Sequence, residues 1–348
     1  MSQKPSDPLL CDSKHAVRLG SLLPLVLLIV SCSHSSQLKP SPAPAAATAP
    51  PMEPLTVPDS ALRTPPIFIV YGDMRFTDTV ETQASSPGPR QALVAKIASE
   101  RPDAVFLTGD VPWHGGTADD YRVYHDETAA WREQALRIYP ALGNHEFQQC
   151  AEQVCLQNWW QAFPQLRGRR WYAVALGTRI RVLALDSDAS LLAGSEQATW
   201  LEAQFAWLDD AVGIVLILLH HPPITDAPEG ARANEQALAG YLASVARRSS
   251  SLRIIVCAAH VHNYERFERD GVLYLVSGGG GAKPTPVTRS LADHYQDAQF
   301  PNFHYLRFEL DADRLRGEMY RLADFNAASP ATWSINDRFE LSLAPSRR

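Results

Sequence analysis

Basic residues, cysteines and long apolar runs are all scarce in this sequence, and each scarcity narrows what it encodes. Lys and Arg number 32 against 38 Asp and Glu, a formal net charge of −6. Such a chain presents no polycation to hold a phosphodiester backbone, which excludes a nucleic-acid scaffold binder. The apolar stretch from Leu19 to Val30 is 12 residues long and contains Pro24, short of the ~20 residues a membrane span needs. Only five cysteines occur in 348 residues, too few for a disulfide framework. The remaining composition, 45% hydrophobic and 20% charged, is that of a globular protein long enough for one large domain or two small ones.

The apolar stretch follows Lys14, His15 and Arg18 and ends in "IVSC", Ile29 to Cys32. Basic flank, short apolar region and small residues fit a secretory signal. The four-residue ending resembles the bacterial lipobox, which implies lipidation of Cys32 after removal of residues 1–31. The alternative is an ordinary signal peptide or short anchor with a chance cysteine. Residue 33 is serine, so nothing argues for inner-membrane retention. Residues 32–65 include "KPSPAPAAATAPPMEP", rich in proline and alanine without aromatics, and read as a semi-extended tether. The expectation is an exported protein, periplasmic or at the cell surface of a bacterial envelope, held to membrane by the lipid alone. The folded domain is expected over 66–348.

Cys150 and Cys155, in "CAEQVC", read as a disulfide in an exported protein, or else as two free thiols. Cys257 sits in an apolar run and reads as a small core residue.

Apolar runs recur at 67–71, 104–108, 137–142, 181–186, 214–219, 254–259 and 272–277. Most are short and β-branched, as buried strands are. Between them, helical spacing appears at Leu93 and Ile97, at Tyr121, Tyr124, Thr128, Trp131 and Ala135, at Ala198 to Leu208 after a Ser195 cap, and at Leu238 to Val245. Strands alternating with helices give an α/β layered fold. The segment 303–343 alternates in places and reads as a hairpin finishing one sheet.

Polar residues follow these runs in a set order: "GDMR", "GDVPW", "GNHE", "HHPP", "HVHNYER" and "GGGGA". Strand carboxyl ends are where α/β folds gather their sites. Any one of these pieces is explained by a turn or a cap; five in this order are hard to assign to chance. Gly72-Asp73, Gly109-Asp110, Gly143-Asn144-His145-Glu146, His220 and Ala259-His260-Val261-His262 resemble the signature of the calcineurin-like metallophosphoesterases, most closely the purple-acid-phosphatase-like branch.

The resemblance covers most of 66–310. It implies a two-sheet β-sandwich flanked by helices, with a dinuclear metal centre at strand carboxyl ends. It places His260, Asn144 and His220 on the second metal, His262 and Asp73 on the first, and Asp110 between them. Nitrogen and oxygen ligands without thiolate suit iron, zinc or manganese. Two cations about 3.5–4 Å apart clamp a phosphate and acidify a water, so no protein nucleophile is needed. The implied activity is hydrolysis of phosphate esters on a phosphorylated small molecule, monoesters ahead of diesters. His145 is the implied general acid, oriented by Glu146; as a lone residue it reads as a turn histidine.

Two departures stand out. Family members with D-x-H at the first motif bind the first metal through that histidine, and here the position is Arg75. Purple phosphatases use a tyrosine three residues after the second aspartate, and here that is Trp113, whose indole cannot ligate. Arg75, His114, His221 and His304 are therefore candidates for metal or substrate contact. Arg75 otherwise reads as a rim salt bridge, His221 as packing beside Pro222, and His125 as structural. The glycine run 278–281 reads as a loop lining the site. The incomplete first position leaves a second class open, a non-catalytic metal-containing binding domain.

Overall fold

Aliphatic and β-branched runs become strands here because both of their faces are covered. A computed structural model of the protein describes residues 52–325 and 330–343. The signal segment, Cys32 and the tether up to residue 51 lie outside the described residues. In chain order the elements begin β1 (Leu55–Val57), β2 (Ile67–Tyr71), α1 (Pro87–Glu100), β3 (Ala104–Leu107), α2 (Ala118–Glu127), α3 (Ala129–Glu133), β4 (Ile138–Pro140), α4 (Glu152–Ala162), β5 (Tyr172–Leu176) and β6 (Ile180–Ala184). They continue α5 (Glu196–Ala206), β7 (Ile214–Leu218), α6 (Ala233–Arg248), β8 (Arg253–Ala258), β9 (Tyr264–Arg269), β10 (Val272–Ser277), β11 (His304–Leu310), β12 (Arg314–Asp324) and β13 (Thr332–Ser342).

Two sheets form. One has the order β1-β5-β6-β7-β8-β10-β9, the other β13-β12-β11-β2-β3-β4. The centres of both are parallel: β6, β7, β8 and β10 in the first, β2, β3 and β4 in the second. Strand β7 shows how the sequence divides its faces. Ile214, Leu216 and Leu218 belong to the large core that also takes Phe68, Phe106 and Phe308 from the other sheet. Val215 and Ile217 point the other way, into a core shared with Leu201 of α5 and Leu238, Leu242 and Val245 of α6. This is the period-2 alternation of extended backbone with both sides buried. Helix α1 packs through Leu93, Val94 and Ile97 into the core of the second sheet. The αββα sandwich expected from the sequence is the observed fold.

Four details differ from the sequence reading or extend it. The tether does not run to residue 65, because Leu55–Val57 pairs with β5 at a sheet edge and Val57 is buried. Three residues are too few for a strand pattern to register. The helix expected from Tyr121 to Ala135 is two helices, broken at Thr128, whose hydroxyl donates to the Tyr124 carbonyl at 2.6 Å. Such back-bonding competes with the helical ladder. The expected final hairpin is a three-strand meander, β11-β12-β13. The Ser195 cap stands where spacing put it, its Oγ accepting from Ala198 N at 3.3 Å. No helix among the described residues is long and apolar enough to cross a membrane.

Candidate metal centre

Parallel strands in both sheets end at one edge, and their next residues form the site. Asp73 and Arg75 follow β2, Asp110 follows β3, Asn144 and His145 follow β4, His220 and His221 follow β7, and His260 and His262 follow β8. Four of these residues hold left-handed backbone without being glycine: Asp73 at φ 59°, Arg75 at 49°, Asp110 at 55° and His260 at 69°. Such conformations cost of order 1–3 kcal/mol each and gather at functional sites. The glycine run supports the turns from behind. A Cβ at Gly278 would lie 2.4 Å from Asp73 Oδ2, and one at Gly280 would lie 2.1 Å from the Gly72 carbonyl. Only glycine lets the backbone pass so close.

His220 anchors one group of donors. Its Nδ1 faces the Thr108 carbonyl at 2.9 Å. A carbonyl only accepts, so Nδ1 carries the proton and Nε2 presents a lone pair. That Nε2 lies 3.0 Å from Asn144 Oδ1, 3.2 Å from Asp110 Oδ1 and 3.2 Å from His260 Nδ1. Burial pushes His220 down to about 3, so it is a neutral nitrogen ready to ligate. The buried trio Asp73, Asp110 and His220 brings ligand atoms within 4.8 Å of one another.

A second group lies beside it. His262 Nδ1 donates to the Lys283 carbonyl at 2.6 Å, leaving Nε2 3.7 Å from Asp73 Oδ1. Both of those atoms are buried without a hydrogen-bond partner. The other oxygen of Asp73 accepts from His260 N at 2.8 Å. Burial, then the charge of Asp110, raises Asp73 well above the usual carboxylate range. Burial also opposes ionisation of Asp110, but the Arg75 guanidinium and the backbone N–H of His145 hold it low. Two buried carboxyls, that of Asp73 with an orphaned oxygen, and the neutral imidazoles around them are a donor set for cations such as zinc, manganese or iron. Asp110, Asn144, His220 and His260 fit one metal; Asp73 and His262 supply fewer protein donors for another.

Arg75 turns toward Asp110 rather than to a salt bridge at the rim. Its Nε and Nη2 lie 3.3 and 3.2 Å from Asp110 Oδ2, and its guanidinium carbon lies 5.1 Å from the Trp113 ring centroid. Trp113 also stacks on His145, centroids 4.6 Å apart. His145 Nδ1 donates to the Trp113 carbonyl at 2.6 Å, and Nε2 faces Asp110 Oδ2 at 3.7 Å. Glu146 does not orient the His145 ring. Its oxygens accept from the backbone N–H groups of Asp110, Val111 and Gly143 at 3.0, 2.8 and 2.8 Å. It thus ties the second and third motif loops together. Burial and the charge of Asp110 push it up to about 8 against those three donors.

The remaining candidates separate. His114 pairs with Asp120, whose Oδ2 accepts its N–H at 2.8 Å and lies 3.8 Å from its Nδ1. Asp120 is its ion-pair partner among the described residues, and Asp73 is not. His304 is not a ligand: fully buried, it meets Ser277 Oγ through Nε2 at 2.9 Å and the Asn302 carbonyl through Nδ1 at 2.8 Å. With both nitrogens engaged it has no lone pair for a metal. His221 lies against His260, ring centroids 4.2 Å apart, with Nδ1 2.9 Å from Ser187 Oγ. His125 is exposed and pairs with Asp126. Cys150 and Cys155 form a disulfide with Cα atoms 5.7 Å apart, while Cys257 is free and buried.

Sequence reading missed the polar residues after β6. Asp186, Ser187 and Asp188 stand at a strand carboxyl end like the other motifs, and that position was the available signal. Asp186 pairs with Arg170 at 2.7 Å, and Asp188 with Arg232 at 3.3 Å. Asn144, Phe147, Glu152, Arg170 and Asp188 line a cleft of about 300 Å³ that opens on the metal-ligand group. A separate set of acids, Asp226, Glu265 and Asp293, is taken up by Thr225, Ser290 N, Arg266 N and Arg289, and fastens surface loops.

Solved structures share this architecture at low identity. A purple acid phosphatase from yellow lupin (Lupinus luteus) seeds aligns with TM-score 0.62 and 18% identity over 82% of this chain and 55% of its own. The chain thus spans about half the length of that enzyme. GAP50, described as the anchor in the inner membrane complex of Plasmodium, aligns with TM-score 0.57 and 11% identity over 81% of this chain and 90% of its own. A dimetal phosphatase from Danio rerio gives 0.49 at 19% identity over 78% of this chain and 100% of its own. No curated protein sequence matches significantly. The calcineurin-like phosphoesterase profile matches residues 55–264, which takes in β1 and every motif residue through His262. By that match, and with the sandwich and the ligand group it predicts both in place, the chain belongs to the calcineurin-like phosphoesterase family.

Proposed function

We propose that the protein is an exported, lipid-anchored, metal-dependent phosphoesterase that favours monoesters. The observation that carries the catalytic part is the convergence of Asn144 Oδ1, Asp110 Oδ1 and His260 Nδ1 on His220 Nε2, with His145 Nε2 aimed at the other oxygen of Asp110. Metal bound to these ligands supplies Lewis acidity toward phosphoryl oxygens and acidifies a water. The chain's own residues supply the rest. The hydrogen bond from His145 Nδ1 to the Trp113 carbonyl commits Nε2 to the site, so the proton for the leaving oxygen is the one Nε2 carries in the imidazolium. A structural metal has no use for such an acid. The cleft beside Asn144 receives the leaving group. The permanent charge of Arg75 favours a dianionic monoester over a monoanionic diester.

The test is hydrolysis of an aryl phosphate and of a bis-aryl phosphate by the metal-loaded full chain. The monoester should turn over at least about tenfold faster, a ~1.4 kcal/mol difference in barrier, and chelation should stop both reactions. A faster diester would reverse the preference. A second reading, the non-catalytic binding domain, draws support from the hold of Arg75 on Asp110 and from the anchor role named for the Plasmodium neighbour. Metal-loaded protein that cleaves neither ester would decide for it.

The anchor rests on "IVSC" and the proline-rich tether after it. Cys32→Ser should move the protein from the membrane fraction to the soluble exported fraction. Unchanged membrane association would defeat lipidation at Cys32.

A further inference from the structure

We infer that the two metal positions of the family are unequal in this chain, and that the Arg75 guanidinium stands in for the cation at the first. This rests on the metal-dependent reading above only in taking Asn144, His220 and His260 as ligands.

A carboxylate that bridges two cations gives one oxygen to each. At Asp110, Oδ1 faces His220 Nε2 at 3.2 Å, and that nitrogen in turn meets Asn144 Oδ1 and His260 Nδ1. Together they make four donors for one ion, the usual number for a closed zinc-type shell. Asp110 Oδ2 faces a different partner, the Nε and Nη2 of Arg75. This arginine is no passing surface side chain. It is 13% exposed, its backbone N–H donates to the Asp110 carbonyl at 2.9 Å, and its guanidinium lies over Trp113. Main chain and side chain both fasten it to the residue that would bridge.

What is left for a first metal is Asp73 Oδ1 and His262 Nε2, 3.7 Å apart and without hydrogen-bond partners. Two donors form half of a closed shell, and the fixed positive charge beside them opposes a dication. Arginine stays protonated and offers donors rather than lone pairs, so it cannot complete that shell. It can instead do part of what the missing cation would do. Its Nη1 makes no hydrogen bond to another described residue, which leaves it for a phosphoryl oxygen of the substrate.

The full chain, stripped by a chelator, reloaded with Mn(II) alone and passed through gel filtration, should retain one equivalent. Its electron paramagnetic resonance spectrum should be that of an isolated Mn(II) ion. Arg75→His replaces a cation with a donor and should retain two equivalents with a spin-coupled spectrum. His262→Ala should keep the single equivalent. Two equivalents with coupling in the unaltered protein would overturn the inference, as would no retained metal. Loss of the single ion in His262→Ala would place it at the other position, and one equivalent in folded Arg75→His would remove the role given to Arg75. Should that variant fail to fold, the spectrum of the unaltered protein still decides. One retained ion without ester hydrolysis would refute the phosphoesterase reading and leave this inference standing.

Discussion

Replacing Asp110 by asparagine should abolish tight metal binding and lower phosphoester hydrolysis by more than about 100-fold, the upper effect of residues that merely support ligands. The change keeps the shape and removes the charge. Asp110 is fully buried; one oxygen faces His220 and accepts the His145 N–H, and the other takes Arg75. An amide has one acceptor oxygen for these two directions, and its NH2 turns donors toward groups that already donate or toward a cation. Arg75 would lose its partner, at a cost of up to about 3 kcal/mol given that it keeps some contact with water. Removing the charge also lessens the upward push on the Asp73 carboxyl, which burial and then Asp110 raise well above the usual carboxylate range. The metal-free variant should therefore unfold close to the unaltered protein. The difference should appear on adding metal. A ligand at 100 times its Kd adds about 2.7 kcal/mol of stability, so the unaltered protein should gain melting temperature with Mn(II) or Zn(II) and Asp110→Asn should not. An equal gain in both would show that Asp110 is not a ligand.

The largest loss of stability should come from Glu146→Ala, although Glu146 touches no metal ligand through a side-chain pair. Its two oxygens are the acceptors for three buried backbone donors, the N–H groups of Asp110, Val111 and Gly143. Each such group left unsatisfied costs roughly 1–3 kcal/mol, so the loss should be about 3 kcal/mol or more. No larger side chain can repair the loops from the other side, since a Cβ at Gly143 would lie 2.5 Å from Asp110 Oδ1. Glu146→Gln keeps one good acceptor and should lose less. Urea denaturation of the three proteins measures this order. Equal midpoints would mean that water replaces the carboxylate in the cavity.

The motif residues and their strand-end positions were legible because both rest on local rules. Short β-branched runs mark buried strands, and polar residues after them mark the ends. His304 misled for the same reason. On an alternating strand it looks like a free imidazole, and only the approach of Ser277 and the Asn302 carbonyl shows both nitrogens occupied. Glu146 misled differently, since a carboxylate next to a histidine suggests a partner for it, while the turn geometry directs the oxygens to the main chain. The edge strand Leu55–Val57 left no signal, being three residues that β5 alone makes into a strand.

By itself, then, the sequence determined the alternation of strands and helices, the order of the motifs and the ligand types, for these follow from residue chemistry and spacing along the chain; the two-sheet sandwich was implied only through the resemblance those motifs carry. The absence of a histidine at Arg75 and of a tyrosine at Trp113 was equally plain there. Which donors face one another was decided by the tertiary structure. Asp73 accepts the His260 N–H across 187 positions of chain, and His220 reaches Asn144 from the other sheet. Arg75 could be named from its letter but not placed. Its left-handed backbone and its bonds to Asp110 exist only once β2 and β3 pair and carry both residues to the same edge. No spacing rule encodes that contact, because its two halves belong to different strands.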